Sequence, residues 1–129
     1  MAYSIDFPDA ARRHHAAAES LYEHEPAKRR RDIAGYLYGI AAECALKQIL
    51  RRSLAWHEPE YLHFPELKSA VRERAQGRYA SALRRFSETA FMNGWDIKMR
   101  YAPRREVSDG LVERWREQAK EIIAAMDDC

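Results

Sequence analysis

The feature that most constrains the fold is a run, residues 27–54, in which apolar side chains recur at helical spacing around much of the helix. These positions are Ile33, Leu37, Ile40, Cys44, Leu46, Ile49 and Leu50. A helix that is apolar on several sides is contacted by neighbours on several sides. Gly35 and Gly39 would let a neighbouring backbone approach closely. The run predicts a central helix, roughly Ala27 to Leu54, in a helical bundle.

Four other segments with helical spacing complete the expected bundle. The first runs from about Asp6 to His24, the next from Pro65 to Gln76, the next from Arg78 to Phe91, and the last begins at Ser108. Pro26 is expected to end the first helix or to begin the second. Asn93 and Gly94 tolerate positive φ and are expected to end the fourth. Ser108 fits an N-cap, and Val107 with Val112 fits a hydrophobic staple.

Each segment also predicts a buried face. The expected inward positions are Ala10, His14, Ala17, Leu21 and Tyr22, then Leu67, Val71 and Ala75, then Tyr79, Leu83, Phe86 and Ala90, and last Leu111, Trp115, Ile122 and Met126. The face of the first helix is rich in alanine, so that helix should lie close to its partner.

One stretch, NGWDIKMRYAP (residues 93–103), departs from helical spacing. Its large apolar residues Trp95, Ile97, Met99 and Tyr101 alternate with polar ones, and period two is typical of an extended backbone. A lone strand has no sheet to join. We therefore expect an ordered, extended crossing before the last helix. Its large apolar residues, Tyr101 included, should seal the end of the bundle while Arg100 reaches Glu43.

The chain has 129 residues with no internal repeat and no linker, which predicts one domain over residues 1–129. The predicted fold class is all-α: a single-domain up-and-down bundle of about five helices. No apolar run has the length of a signal peptide or a membrane span. Cys44 lies in a helical pattern and Cys129 ends the chain, a usage that favours a reducing compartment. Together with the lack of such an apolar run, it predicts a cytoplasmic protein with no membrane partner.

The balance of charges restricts how this chain can bind nucleic acid. It has 22 basic and 20 acidic residues, so binding would need a local patch. Arginines recur in short groups, at Arg12 and Arg13, Arg29 to Arg31, Arg51 and Arg52, Arg84 and Arg85, and Arg104 and Arg105. The groups are either a solvated surface or, where they cluster in space, a phosphate-binding surface.

Two charged residues are the main candidates for a site. Glu43 lies on the apolar central helix, and a buried carboxylate needs a cation or hydrogen-bond donors. Arg100 lies among aromatic residues, and its planar fork suits a carboxylate or a phosphate. Each also has a purely structural interpretation: Glu43 as a structural salt bridge or a helix-surface pair with Lys47, and Arg100 as a tie between the crossing and either Glu43 or an acidic surface residue.

No catalytic or cofactor motif is evident. The five histidines form no paired zinc pattern, so no metal and no cofactor are predicted. One spacing, Arg52 followed by His57, would suit a metal-free ribonuclease in which the arginine holds a phosphate and the histidine moves a proton.

Three motifs together resemble the HEPN domain family. Residues 35–50, GYLYGIAAECALKQIL, resemble its signature helix, which carries Ala-Ala-Glu, two residues and Leu-Lys. Residues 63–67 resemble its His-apolar-x-x-Leu opening of the next helix. Residues 100–103, Arg-Tyr-Ala-Pro, resemble its Arg-Tyr-Pro segment, with one residue inserted.

The resemblance implies an all-helical, commonly dimeric protein. Its ligand-binding residues would be Glu43, Lys47, His63, Arg100 and Tyr101. One HEPN branch binds nucleotides or acts beside a nucleotidyltransferase in toxin–antitoxin pairs. Another contains ribonucleases with Arg, four to six residues, then His on a late helix, but the helix from Ser108 has no histidine.

Three functions follow from these observations. The first is a non-catalytic HEPN-like binding module for a nucleotide or RNA, acting beside a nucleotidyltransferase in a toxin–antitoxin or defence system. The second is a ribonuclease that uses Arg52 and His57 across a dimer. The third is a homodimeric scaffold whose polar cluster is structural.

Overall fold

The computed structural model describes residues 3–25 and 29–128, and these residues fold as helices joined by turns. The five α-helices are α1 (Phe7–Glu23), α2 (Arg31–Leu54), α3 (Glu66–Arg74), α4 (Ala80–Phe86) and α5 (Asp109–Asp127). This part of the chain contains no β-strand, so the predicted all-α bundle is confirmed. None of its helices is long and apolar enough to cross a membrane.

Some expectations fall outside the described residues. They concern Pro26 as a helix boundary, the beginning of the second helix at Ala27, and Cys129.

Helix α2 lies at the centre of the bundle, as predicted, with α1 and α5 as its main partners. The core face of its first half differs from the prediction, because Ile33 is exposed and Leu37, Ile40 and Cys44 are only partly buried. The fully buried positions are Ala34, Tyr38, Ala41, Ala42, Ala45, Leu46 and Leu50. Short alanine side chains let two helices lie close to α2, so the packing favours them over the larger aliphatic residues.

The buried face of α1 is displaced by one position from the predicted face. Its buried residues are Phe7, Ala11, Ala18 and Tyr22, whereas Ala10, His14 and Leu21 are partly buried and Ala17 is exposed. The observed face carries the two large rings, Phe7 and Tyr22, and burying a ring removes far more apolar area from water than burying an alanine. Of the predicted residues, Tyr22 alone is fully in the core.

Tryptophan rings pack directly against the two glycines of α2. A Cβ atom on Gly39 would lie 1.9 Å from Cε2 of Trp95, and one on Gly35 would lie 2.9 Å from Cγ2 of Val112 and 3.1 Å from the Trp115 ring. The Trp95 indole N–H donates to the carbonyl oxygens of Gly35 (3.1 Å) and Tyr36 (3.3 Å). The predicted close approach is therefore made by side chains and not by a neighbouring backbone.

The fourth helix is shorter than predicted. It ends at Phe86, and residues 87–94 form turns, with Gly94 at φ +85°. The buried ammonium of Lys68 donates to the carbonyl oxygens of Phe91 (2.7 Å), Thr89 (3.2 Å) and Glu88 (3.4 Å). Carbonyls that a continued helix would have paired are thus satisfied by a lysine from α3.

The crossing between α4 and α5 is ordered and lies outside any sheet within the described chain, as predicted. Its backbone is extended at Asp96, Ala102 and Pro103 but coils into a 3₁₀ turn over Ile97–Tyr101. The coil turns Tyr101 outward, where it is 78% exposed, while Trp95 is buried. The prediction that Tyr101 seals the bundle is therefore wrong, because a 3₁₀ turn does not preserve the two-residue alternation.

Helix α5 begins as predicted. The Ser108 hydroxyl accepts a hydrogen bond from Leu111 N at 3.3 Å, which makes Ser108 the N-cap. The buried residues of the helix are Val112, Trp115, Ala119, Ile122 and Met126.

An ion pair between α1 and α5 extends to α2. The Arg116 guanidinium donates to both oxygens of Glu19, at 2.9 and 3.0 Å, and the Tyr38 hydroxyl donates to Oε1 at 2.7 Å. The hydrogen bonds from Arg116 hold the pKa of Glu19 at about 2, below its ordinary 4.5. Arg116 and Arg31 also lie over the ring of Tyr22, at 4.4 and 4.3 Å.

We expect Gly39→Ala to destabilise the protein by about 3 kcal/mol, because the new methyl group displaces the Trp95 ring and breaks its two hydrogen bonds. The matched control is Gly110→Ala in α5, where a Cβ meets nothing within 4 Å. Urea unfolding monitored by tryptophan fluorescence measures both. Equal stability of the two variants would contradict the packing of Trp95 on Gly39.

Replacing Glu19 by Gln should lower the free energy of unfolding at neutral pH by about 2 kcal/mol, since charge-assisted bonds to Arg116 are lost. The folded pKa of Glu19 lies below the unfolded one, so its contribution is complete above pH 4.5 and disappears as the pH falls toward about 2. The difference between parent and variant should shrink over that range. Glu23→Gln, which removes an exposed carboxylate 2.7 Å from the same arginine, serves as the control and should change stability by under about 1 kcal/mol. A pH-independent difference would contradict this assignment.

Candidate functional site

Three of the five residues implied by the HEPN resemblance lie together, where α2 meets the turn before α3. The Glu43 carboxylate is 2% exposed, and its Oε1 lies 2.9 Å from Nδ1 of His63. Its Oε2 accepts the backbone N–H of Phe64 at 2.7 Å. Burial raises the pKa of Glu43, and the bonds from His63 and Phe64 oppose that rise.

Lys47 lies one turn further along α2, and its side chain also has a hydrogen-bond partner within the protein. Its ammonium donates to the carbonyl oxygen of Glu60 at 3.0 Å, and burial lowers its pKa while the nearby Glu43 carboxylate raises it. Glu43, Lys47 and His63 therefore tie the segment between α2 and α3 to the central helix. Both Glu43 oxygens and the Lys47 ammonium are engaged, which leaves the partly exposed His63 ring as the part that solvent reaches.

Arg100 and Tyr101 lie elsewhere, beside the first turns of α2. A hydrogen bond to the Tyr36 side chain raises the pKa of the Arg100 guanidinium, whose Cζ lies 4.9 Å from the centroid of the Tyr101 ring. Tyr36 stacks on Trp95, with centroids 6.0 Å apart and planes 19° apart. The prediction that Arg100 reaches Glu43 is wrong: the Glu43 oxygens are held by His63 and Phe64, and the described residues contain no Arg100–Glu43 ion pair.

Two adjoining cavities lie between the first turns of α2 and the crossing. The aromatic cavity, of about 250 Å³, is lined by Asp32, Ile33, Tyr36, Met99, Arg100, Ala102 and Val107. The arginine cavity, of about 340 Å³, is lined by Arg29, Arg31, Asp32, Arg104, Val107 and Asp109. Asp32 and Val107 line both, so the two cavities share a wall.

Two of the arginine groups noted in the sequence therefore cluster in space. Asp32 organises them: it accepts from Arg30 Nε at 3.2 Å and Nη2 at 3.0 Å, and its Oδ1 lies 4.0 Å from Arg104 Nε. Arg31 lies 3.9 Å from Asp109, and its buried Nε has no hydrogen-bond partner in the described part of the chain. Four arginines and two aspartates line the cavities, which concentrates positive charge in a nearly neutral protein.

We call Arg29, Arg31, Arg100, Tyr101 and Arg104 the arginine–tyrosine patch. Sequence reasoning identified Arg100 and Tyr101 by motif but did not select Tyr36, Asp32 or the other arginines. The arginine groups were a visible signal, but their clustering depends on how the crossing returns to α2.

The residues of the ribonuclease hypothesis lie around the other end of α2. Arg52 is exposed and lines a groove with Pro8, Arg12 and Asp127, while His57 is exposed in the segment after the helix. Within the described chain, no group of three or more His, Cys, Asp or Glu side chains is placed to hold a metal ion.

No family model, curated protein or solved structure matches this chain. The HEPN assignment accordingly stays a prediction from three motifs, and a function is inferred from the charged and aromatic side chains described above.

We expect Glu43→Ala to lower the free energy of unfolding by about 3 kcal/mol, because the Phe64 N–H loses its acceptor inside the protein. His57→Ala, an exposed histidine in the same segment, should change stability by under about 0.5 kcal/mol. Thermal unfolding followed by circular dichroism measures both. If Glu43→Ala were as stable as His57→Ala, the cluster would not hold the segment to α2.

Proposed function

We propose that this protein binds a nucleotide, free or as an unpaired unit of RNA, through the arginine–tyrosine patch. The observation that carries the proposal is the convergence of Arg29 and Arg31 with Arg100 and Arg104 beside an exposed tyrosine. Guanidinium groups pair with phosphate oxygens in a planar, two-pronged geometry. An exposed aromatic ring next to them offers a stacking surface for a base.

Charge balance favours this patch over the Glu43 cluster as the ligand site. In the Glu43 cluster the carboxylate and the ammonium already have partners within the protein. In the patch the Arg100 side chain lies at the surface, and Arg104 is 69% exposed. Exposed arginines remain able to exchange water and counterions for phosphate, which is the main source of nucleic-acid affinity.

A HEPN-type binding module agrees with this proposal in its ligand and in Arg100 and Tyr101, whereas Glu43, Lys47 and His63 lie in a separate cluster. If the protein is a HEPN-type module, it acts in the cytoplasm as a homodimer beside a nucleotidyltransferase in a toxin–antitoxin or defence system. These finer statements rest on the motifs at residues 35–50, 63–67 and 100–103. The ribonuclease that uses Arg52 and His57 stays a prediction that no observation in the described residues favours. The homodimeric scaffold also stays a prediction; the bonds that Glu43, Lys47 and His63 make within the protein agree with a structural role for its polar cluster.

Arg100→Ala should weaken binding of a short labelled single-stranded RNA about tenfold. The variant loses one phosphate contact and the cation–π contact between Arg100 and the Tyr101 ring. The slope of log affinity against log salt should fall by about 0.7, as expected for one fewer contact on a single strand. Arg100→Lys keeps the charge but not the fork, so its loss should be intermediate. Fluorescence anisotropy at several salt concentrations measures all three proteins.

The control for net charge is Arg84→Ala, which removes an exposed arginine from α4, outside the patch. It should leave the affinity close to that of the parent protein. If Arg84→Ala and Arg100→Ala had the same effect, binding would reflect overall charge and the patch would not be the site. If the parent protein bound neither RNA nor free nucleotides, the proposed function would be wrong.

A further inference from the structure

We infer that the two adjoining cavities form a site for one ribonucleoside monophosphate unit, with the base in the aromatic cavity and the phosphate in the arginine cavity. This inference rests on the proposed function and specifies the ligand of the same site. The exposed Tyr101 lines neither cavity, so in an RNA strand its ring would stack on a neighbouring base. Its starting observation is the shared wall of Asp32 and Val107. A nucleotide has the same order of parts: an apolar, flat base, a ribose and an anionic phosphate.

The aromatic cavity suits a base. Ile33, Met99, Ala102 and Val107 supply apolar surface, while Tyr36 and Arg100 bring polar atoms. Small-molecule sites typically combine apolar walls with a few polar groups, and occupy about 300–1,000 Å³. At about 250 Å³, this cavity can hold one base, and the ribose and phosphate of the nucleotide would lie outside it.

The arginine cavity suits the phosphate. Arg29, Arg31 and Arg104 converge there, and the only acidic lining residues among those described, Asp32 and Asp109, are each close to an arginine. The Arg31 side chain lines this cavity and is 23% exposed, so a phosphate in the cavity can reach its guanidinium group.

The shared wall places the ribose at Asp32. Its carboxylate is 15% exposed and accepts two hydrogen bonds from Arg30. Asp32 lines both cavities, so its carboxylate is the acceptor that the hydroxyls of a ribose between them would meet. The 2′-hydroxyl is the group that distinguishes RNA from DNA, so the site should prefer a ribonucleotide.

Titration calorimetry with small probes tests each part. Adenosine 5′-monophosphate should bind at least about tenfold more tightly than either adenosine or ribose 5-phosphate, because only the first fills both cavities. The 2′-deoxy form should bind a few-fold more weakly. Equal affinity for the ribo and deoxy forms would overturn the placement of the ribose at Asp32.

Two variants separate the cavities. Ala102→Phe fills the aromatic cavity from an exposed position, and should weaken adenosine 5′-monophosphate about tenfold while leaving ribose 5-phosphate unchanged. Arg104→Ala should weaken both. The controls are Ala16→Phe, which adds the same ring at an exposed site on α1, and Arg105→Ala, which removes the same charge beside Arg104. Circular dichroism checks that every variant is folded.

The outcomes distinguish failure of the mononucleotide site from failure of the proposed function. If Ala102→Phe left monophosphate binding unchanged, the base would not enter the aromatic cavity and the inference would fail. If the parent protein bound single-stranded RNA through Arg100 but no mononucleotide, the inference would fail and the proposed function would stand. If it bound neither, both would fail.

Discussion

The packing of Trp95 against α2 is the contact on which the rest of the structure depends. The indole occupies the space left by Gly39, and its N–H donates to two carbonyl oxygens of α2. This contact joins residues about sixty positions apart and fixes where the crossing begins. Tyr36 stacks on the same indole and lines one cavity with Arg100, so the position of the arginine–tyrosine patch is linked to a contact inside the core.

Two polar clusters border α2, and they differ in whether their charged groups already have partners within the protein. Glu43 and Lys47 are buried and use their hydrogen-bonding capacity within the chain. Removing one partner of such a cluster is costly because the other stays buried. Arg100 and Arg104 stay exposed, so they can exchange water for a ligand. The same helix thus carries a structural centre in its middle and a candidate binding surface at its beginning.

Parts of the fold could be read from the sequence because they depend on local spacing. The five helices, the central position of α2 and the Ser108 cap are of this kind. The predictions that failed needed information about partners. The face of α1 depended on which rings reach the core, and the end of α4 depended on Lys68, a residue of another helix that satisfies its carbonyls. The pairing of Arg100 with Glu43 failed because His63 and the Phe64 N–H had already occupied that carboxylate.

The sequence by itself determined the helical class, the central helix and the residue types available for a site, because periodicity and side-chain chemistry are properties of each segment alone. It also marked Arg100 and Tyr101 as unusual. Only the tertiary structure decided which arginines lie together, since Arg29 and Arg104 are far apart in the chain and meet only where the crossing returns to α2. Spatial convergence of charge is a property of the packed chain, and so the candidate site belongs to the fold as much as to the motif.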